Sequence, residues 1–242
     1  MNTGRRISLW TSLVDHASGR PVTIEHVCAV AVAATGVDGA SVTVVLPAAL
    51  RETMCASDAV ASDLEELTLT LGEGPGIDAV EAGPVLVADL TSACCLTRWP
   101  MYAPAAVDCG VCAVFALPLR VGAIRLGVLS LYRAAPGDLD PEQLADALVL
   151  ADTACALLLD AARSDPRQGN GHQPEHMGTH HPEIHQATGM ITVQLGVTAA
   201  VALTRLRAYA YAHERRLRDV ARDVVGRRLR FHPDRSDDRD DR

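Results

Sequence analysis

Near its carboxyl end the chain carries arginines whose spacing suits contacts with phosphate groups. Arg215, Arg218 and Arg222 lie three and four residues apart, so a helix would place them on one stripe that contains no acidic residue. Guanidinium groups donate paired hydrogen bonds to phosphate oxygens. In the preceding segment, Arg205 and Tyr209 are four residues apart and would combine a guanidinium with a ring on which a base can stack. These residues predict a nucleic-acid-binding face.

The charge distribution separates this segment from the rest of the chain. Residues 1–170 contain 10 arginines and 20 acidic residues, a net charge of −10, whereas residues 183–232 contain 9 arginines and 4 acidic residues, a net charge of +5. A solvated surface is the ordinary explanation of a charge run. Reversal of sign in one segment of an acidic chain favours a polyanionic partner instead. Within the segment, Asp223 precedes Arg227 by four residues and is expected to pair with it along a helix.

Apolar periodicity predicts three helices that would carry these side chains, at about 183–195, 199–213 and 217–230. Pro182 suits the start of the first helix, Gly196 its end, and Thr198 the N-cap of the second. The first helix contains Gly189, which costs about 1 kcal/mol relative to alanine in a helix interior. Close helix packing or close approach of a ligand would explain this glycine.

The same segment resembles the ANTAR domain, the RNA-binding module of transcription antitermination regulators. The resemblance rests on Ala187-x-Gly189-Met190, the Gly196-x-Thr198 corner and Leu217-x-Asp219-Val220-Ala221. It implies binding to paired short stem-loops in nascent messenger RNA, which prevents formation of a terminator. It also implies that Ala187 and Gly189 let an RNA loop approach the helix backbone. Thr188 departs from the pattern, because many family members have a basic residue there.

Residues upstream alternate between helical and strand patterns and predict an α+β fold. The stretch VCAVFALPLRVGAIRLGVLSLYR reads as two long strands joined near Gly122, and Gly36 is expected to end a helix. Together with LGEGPGIDA and VLVADL, this pattern resembles a GAF domain over residues 13–162. The resemblance implies an antiparallel sheet with flanking helices and a sensory role, with no particular signal. Residues 163–182 then read as a flexible linker, residues 183–232 as the ANTAR bundle, and residues 233–242 as a disordered acidic tail.

The cysteines and histidines are the other residues that could do chemistry. The seven cysteines are expected to be thiols, because a chain of this size with ample apolar residues does not need a disulfide framework. Cys94, Cys95, Cys109 and Cys112 could form a redox or metal site, although small core residues are the favoured interpretation. Five histidines near the linker include pairs four residues apart, but a metal requires a rigid array and glycine and proline make this segment flexible. No nucleophile–base pair or phosphate-binding loop is present, so neither catalysis nor a cofactor or metal is expected.

The sequence therefore predicts a cytoplasmic regulator, since it has no apolar run that could cross a membrane and no secretory signal. The N-terminal domain would sense an unknown small molecule or protein signal. The C-terminal bundle, acting as a homodimer, would bind RNA stem-loops and promote antitermination. Two alternatives stay open: a thiol-based redox sensor or GAF-type enzyme, and a DNA-binding regulator in which the second and third helices form a helix-turn-helix.

Overall fold

The computed structural model describes residues 3–46, 50–164 and 182–232. The described residues divide into two compact units, one made of most of residues 3–164 and the other mainly of residues 182–232. The expected linker at 163–182 and tail at 233–242 lie almost entirely outside the described residues. Their flexibility therefore stays a prediction.

The N-terminal unit is built on a five-stranded sheet in the order β2-β1-β5-β4-β3. Its strands are β1 (Gly39–Leu46), β2 (Leu50–Ala56), β3 (Val85–Val87), β4 (Ala113–Val121) and β5 (Ile124–Arg133). β5 pairs antiparallel with both β1 and β4, and β3 pairs antiparallel with β4. The predicted long hairpin is confirmed, and Gly122 in its turn has the positive φ of 59° that favours glycine.

Helices cover both faces of this sheet. α1 (Thr3–Ala17), α2 (Ile24–Thr35) and α7 (Pro141–Ser164) cover one face, while α3 (Ala59–Leu71), α4 (Pro75–Ala82), α5 (Ala93–Arg98) and α6 (Tyr102–Asp108) cover the other. Phe115 and Leu117 on β4 are buried against the first group, and Val114 and Ala116 against the second, as the alternation of a strand requires. The predicted α+β fold is confirmed. α5 and α6, of 6 and 7 residues, are too short for apolar periodicity to indicate them.

A disulfide joins Cys28 on α2 to Cys55 on β2, and both residues are buried. The expectation that all seven cysteines are thiols is therefore wrong for this pair. The sequence separation of 27 residues gives no local signal, because the fold alone brings α2 over the edge strand β2. The other five cysteines are not bonded to one another.

The C-terminal unit is the predicted three-helix bundle, formed by α8 (Pro182–Leu195), α9 (Ala199–Ala212) and α10 (Leu217–Val225). Thr198 caps α9 as expected, its Oγ1 accepting a hydrogen bond from the backbone N of Val201 at 3.4 Å. α10 is shorter than the predicted 217–230, because the chain leaves the helix at Gly226 and Arg227 adopts a φ of 57°. No single described helix is long and apolar enough to cross a membrane; only α8 and α9 taken together, bent by 106°, reach that length and composition.

Candidate RNA-binding surface

The bundle core decides which side chains can reach a ligand. Each helix turns one stripe inward, and the buried side chains are Ile184, Ala187, Thr188, Ile191, Ala202, Leu203, Leu206, Ala210, Leu217, Val220, Ala221 and Val224. Burial of these apolar groups supplies the main stabilisation of so small a unit. The polar residues between the stripes are left on the surface.

Ala187 and Gly189, expected to face RNA together, lie in different environments. Ala187 is fully buried, so its small size serves helix packing and the expectation that it admits an RNA loop is not supported. Gly189 is exposed, and a Cβ built on it would meet no atom within 4 Å. Packing within the described bundle therefore does not explain Gly189. Thr188 is also buried, and its Oγ1 donates a hydrogen bond to the carbonyl of Ile184 at 2.7 Å.

Arg215 is held by a carboxylate that the helical spacing did not indicate. Its Nη2 donates to Oδ2 of Asp223 at 2.7 Å, and Arg228 donates to Oδ1 of the same carboxylate at 2.7 Å. These hydrogen bonds, first from Arg215 and then from Arg228, hold the pKa of Asp223 below its ordinary value. The predicted pair of Asp223 with Arg227 is wrong, because Arg227 lies past the end of α10.

Arg218 and Arg222 share one side of α10 but do not form an acid-free stripe. Arg222 lies 3.3 Å from Glu183 on α8 and 3.3 Å from Asp219 one turn earlier. The Nε of Arg218 is 4.0 Å from Asp219 and has no hydrogen-bond acceptor. The prediction of an unpaired arginine stripe is therefore wrong, because Arg215 and Arg222 are ion-paired and Arg218 also lies within 4.0 Å of Asp219. All three side chains keep partial exposure, so a phosphate group could replace the carboxylates as their partner.

Arg205 and Tyr209 lie on the same side of α9, as predicted, and Arg205 is exposed. Tyr209 is half-buried in an aromatic cluster that the sequence analysis missed. Its ring stacks on that of His213 with centroids 3.9 Å apart and an angle of 17°, and Phe231 meets it edge-on at 5.6 Å. The four-residue spacing of Tyr209 and His213 is a signal that could have identified the stack. No local pattern indicates Phe231.

The cysteines of the alternative hypothesis do not assemble into a metal site. Within the described residues, no group of three or more His, Cys, Asp or Glu side chains is arranged to hold a metal ion. Cys94 and Cys95 are adjacent on α5 with their sulfurs 3.9 Å apart, beside a cavity of about 590 Å³ along the edge strand β3. A hydrogen bond to Ser92 lowers the pKa of the exposed Cys94, whereas burial raises that of Cys95. Cys109 is exposed and Cys112 half-buried.

A buried polar network fills the space between the sheet and α3 in the N-terminal unit. Ser41 and Thr43 donate hydrogen bonds to the carboxylate of Glu65 at 2.7 and 2.8 Å. Arg51 donates to the carbonyl of Gly76 at 2.9 Å, and its Nη1 is buried without a hydrogen-bond acceptor. The cavity beside Glu65 measures only about 10 Å³, space for at most one water molecule. A ligand at this place would require α3 or α4 to move.

The two units of the chain are similar to different groups of known proteins. Residues 178–225 match the family model of the ANTAR domain. The fold of the N-terminal region is similar to GAF domains of phosphoenolpyruvate-protein phosphotransferases from Coxiella burnetii (17% identity, TM-score 0.51) and Acinetobacter (12%, TM-score 0.50). Each alignment covers 67% of this chain and 98% of the solved chain. Identities this low establish the fold alone. No curated protein matches the chain.

Proposed function

We propose that this chain, which joins a domain of the GAF fold to an ANTAR domain, is a signal-responsive regulator that binds RNA stem-loops in nascent transcripts and promotes antitermination. The observation that carries the proposal is the ANTAR match over a folded bundle whose surface reverses the charge of the chain. RNA carries a negative charge at every phosphate, so a segment of net charge +5 attracts it.

The arrangement of the bundle supports contact with RNA through several elements. Arg205 on α9, Arg218 and Arg222 on α10, and the exposed backbone at Gly189 on α8 would supply the contacts. The carboxylates of Glu183, Asp219 and Asp223 hold the guanidinium groups while RNA is absent. Arginine contacts of this kind position the protein on the backbone, whereas unpaired loop bases provide sequence recognition.

The N-terminal domain would act as the sensor. The cavity beside Cys94, or the polar interior around Glu65 and Arg51 after a movement of α3 or α4, would receive the signal. We further propose that the active form is a homodimer in the cytoplasm, because paired stem-loops need two bundles. Sedimentation of the full chain with and without a two-hairpin RNA tests the dimer. A 1:1 complex at saturating concentrations would contradict it.

Competition binding tests the proposed partner directly. The full chain first binds a labelled RNA hairpin with a short loop. Three unlabelled competitors are then added at a stated salt concentration: the hairpin itself, a fully paired RNA duplex of the same sequence, and duplex DNA. We expect the hairpin to compete at least tenfold better than either duplex. Stronger competition by duplex DNA would favour the helix-turn-helix alternative.

A thiol-based regulator makes a different prediction in the same assay. Alkylation of the exposed cysteines Cys94 and Cys109 should leave hairpin affinity unchanged if the sulfurs carry no chemistry. A Cys94→Ser, Cys109→Ser variant provides the matched control, because it removes the sulfurs without adding bulk. A change in hairpin affinity in both samples would support the thiol alternative.

A further inference from the structure

The segment that follows α10 lies outside the ANTAR match yet is fixed to the bundle. The match ends at residue 225, whereas the structure describes the chain to residue 232. The backbone N of Arg228 donates to the carbonyl of Asp223 at 2.8 Å, and the Arg228 side chain donates to the Asp223 carboxylate. Farther along, the backbone N of Phe231 donates to Oε1 of Gln194 on α8 at 3.0 Å. Residues 226–232, here termed the C-terminal segment, are therefore part of the surface of the bundle.

This segment completes the aromatic cluster at the end of α9. Phe231 meets the ring of Tyr209 edge-on, and His213 stacks on the same ring. Tyr209 and Phe231 are half-buried, whereas His213 is exposed, so the imidazole is the most accessible ring of the three. The solvent-exposed member of the stack is therefore His213.

The orientation of His213 is fixed by a hydrogen bond. Its Nδ1 lies 2.8 Å from the carbonyl oxygen of Tyr209, and a carbonyl can only accept, so Nδ1 carries a proton. Nε2, on the opposite side of the ring, is not used by this bond. The ring is thus held in one plane before any ligand arrives, which lowers the entropy cost of stacking on it.

The charge around the cluster suits a nucleic acid. The C-terminal segment contains Arg227, Arg228 and Arg230 and no acidic residue. Arg227 and Arg230 are exposed, and the φ of 57° at Arg227 turns the chain away from the axis of α10. A preset aromatic plane beside guanidinium groups is the combination that holds unpaired bases and their phosphates.

We propose that His213, Tyr209 and Phe231, with the arginines of the C-terminal segment, form a stacking platform for one unpaired base of an RNA loop. The proposal rests on the proposed RNA-binding function and extends the binding surface beyond the residues that the family model covers. A duplex offers no unstacked base, so the platform selects loops over paired RNA.

Hairpin binding by the full chain tests the platform. His213→Ala removes the exposed ring, and Tyr211→Ala is the matched control, because Tyr211 is an exposed tyrosine of the same helix outside the cluster. We expect His213→Ala to weaken binding roughly 5- to 150-fold, the range for loss of one stacked base. The slope of log affinity against log salt should not change, since no phosphate contact is lost. His213→Phe should restore most of the affinity.

Abasic substitution identifies the base that stacks. One loop position, when made abasic, should weaken binding to the wild type by the same factor as His213→Ala and should have no further effect on that variant. 2-Aminopurine at this position should be quenched by the wild type and by Tyr211→Ala, but not by His213→Ala. Phe231→Ala is a second variant that removes a ring of the cluster, and circular dichroism checks that each variant is folded. If Phe231→Ala does not fold, His213→Ala still tests the platform, because it replaces an exposed side chain.

The outcomes separate the two proposals. If the wild type binds hairpins and His213→Ala and Phe231→Ala bind them equally well, the platform is overturned while the RNA-binding function stands. If the wild type binds no hairpin, both proposals fall. Equal losses for His213→Ala and Tyr211→Ala would also overturn the platform, because the effect would then not depend on the stack.

Discussion

Arg215, in the turn between α9 and α10, forms an ion pair with Asp223 on α10, with 2.7 Å between Nη2 and Oδ2. The two residues are eight positions apart, a separation at which side chains of one helix do not meet. The pair forms because Arg215 lies in the turn before α10 and Asp223 lies two turns into that helix. Arg228 binds the other oxygen of the same carboxylate, so Asp223 joins the turn to the C-terminal segment.

The first prediction concerns the pH dependence of this junction. The folded pKa of Asp223 lies below its unfolded value of about 3.9, so its stabilisation is present above that pH and is lost as pH falls through the folded pKa. The midpoint of thermal unfolding of the bundle should therefore fall less between pH 5 and pH 2 in Asp223→Asn than in the wild type. Asp219→Asn is the control. If the two unfolding midpoints, of the wild type and of Asp223→Asn, differ by the same amount at every pH in this range, the prediction is wrong.

The second prediction concerns Arg218 and Arg222. If both contact phosphates, Arg218→Ala and Arg222→Ala should each reduce the slope of log affinity against log salt by about 1, and weaken all hairpins similarly. The exposed Arg125 of the N-terminal unit supplies the control substitution Arg125→Ala, which should leave the slope unchanged. If the double variant keeps wild-type affinity and slope, this side of α10 is not part of the binding surface.

Periodicity predicted the elements well, because burial of one stripe or one strand face is a local property of the sequence. The hairpin at Gly122, the α9 cap at Thr198 and the three-helix bundle follow from it. Contacts between distant residues leave no such trace. The Cys28–Cys55 disulfide depends on where α2 crosses the sheet.

The site residues show the same difference between local patterns, which the sequence carries, and contacts between distant residues, which it does not. Ala187 and Gly189 are two positions apart in the sequence, yet a rotation of about 200° along a helix puts one in the core and the other in solvent. The three- and four-residue spacing of the arginines does place them on neighbouring turns, and the pair of Arg222 with Asp219, three residues earlier, was also readable from the sequence. The other ion pairs were not, because they come from Glu183 on another helix and from Asp223, eight residues from Arg215. Phe231 reaches Tyr209 only because α10 ends early at Val225.

The third prediction concerns the disulfide. A crosslink between residues separated by 27 positions should stabilise the N-terminal unit by roughly 3–4 kcal/mol relative to the dithiol form, through the entropy of the unfolded chain. Denaturant unfolding of the oxidised chain with and without a reductant measures this difference. Cys28→Ser should remove the effect of the reductant, whereas Cys155→Ser, which changes a buried thiol, should retain it. A Cys28→Ser variant that still responds to the reductant would contradict the assignment.

The fourth prediction concerns Tyr132 on β5. Burial, followed by its hydrogen bond to Asp58 at 3.0 Å, raises the pKa of Tyr132 to about 12. Since the pKa of tyrosine in the unfolded chain is about 10, the protonated phenol hydroxyl stabilises the fold below pH 10. This contribution is lost as pH rises from 10 to 12. Tyr132→Phe should thus lose less stability than the wild type in alkali. Tyr211→Phe, at an exposed site, should behave as the wild type does.

The last prediction separates packing from ligand approach at Gly189. Because the space around a Cβ there is open, Gly189→Ala and Gly189→Leu should both fold, and Ala should stabilise the bundle by about 1 kcal/mol through helix propensity. Only the leucine adds bulk over the exposed backbone, so it should reduce hairpin affinity far more than alanine does. Ala200→Leu places similar bulk on an exposed site of α9 and serves as the control. If Gly189→Leu instead unfolds the bundle, close packing is the reason for the glycine; if it folds and binds normally, RNA does not approach α8 there.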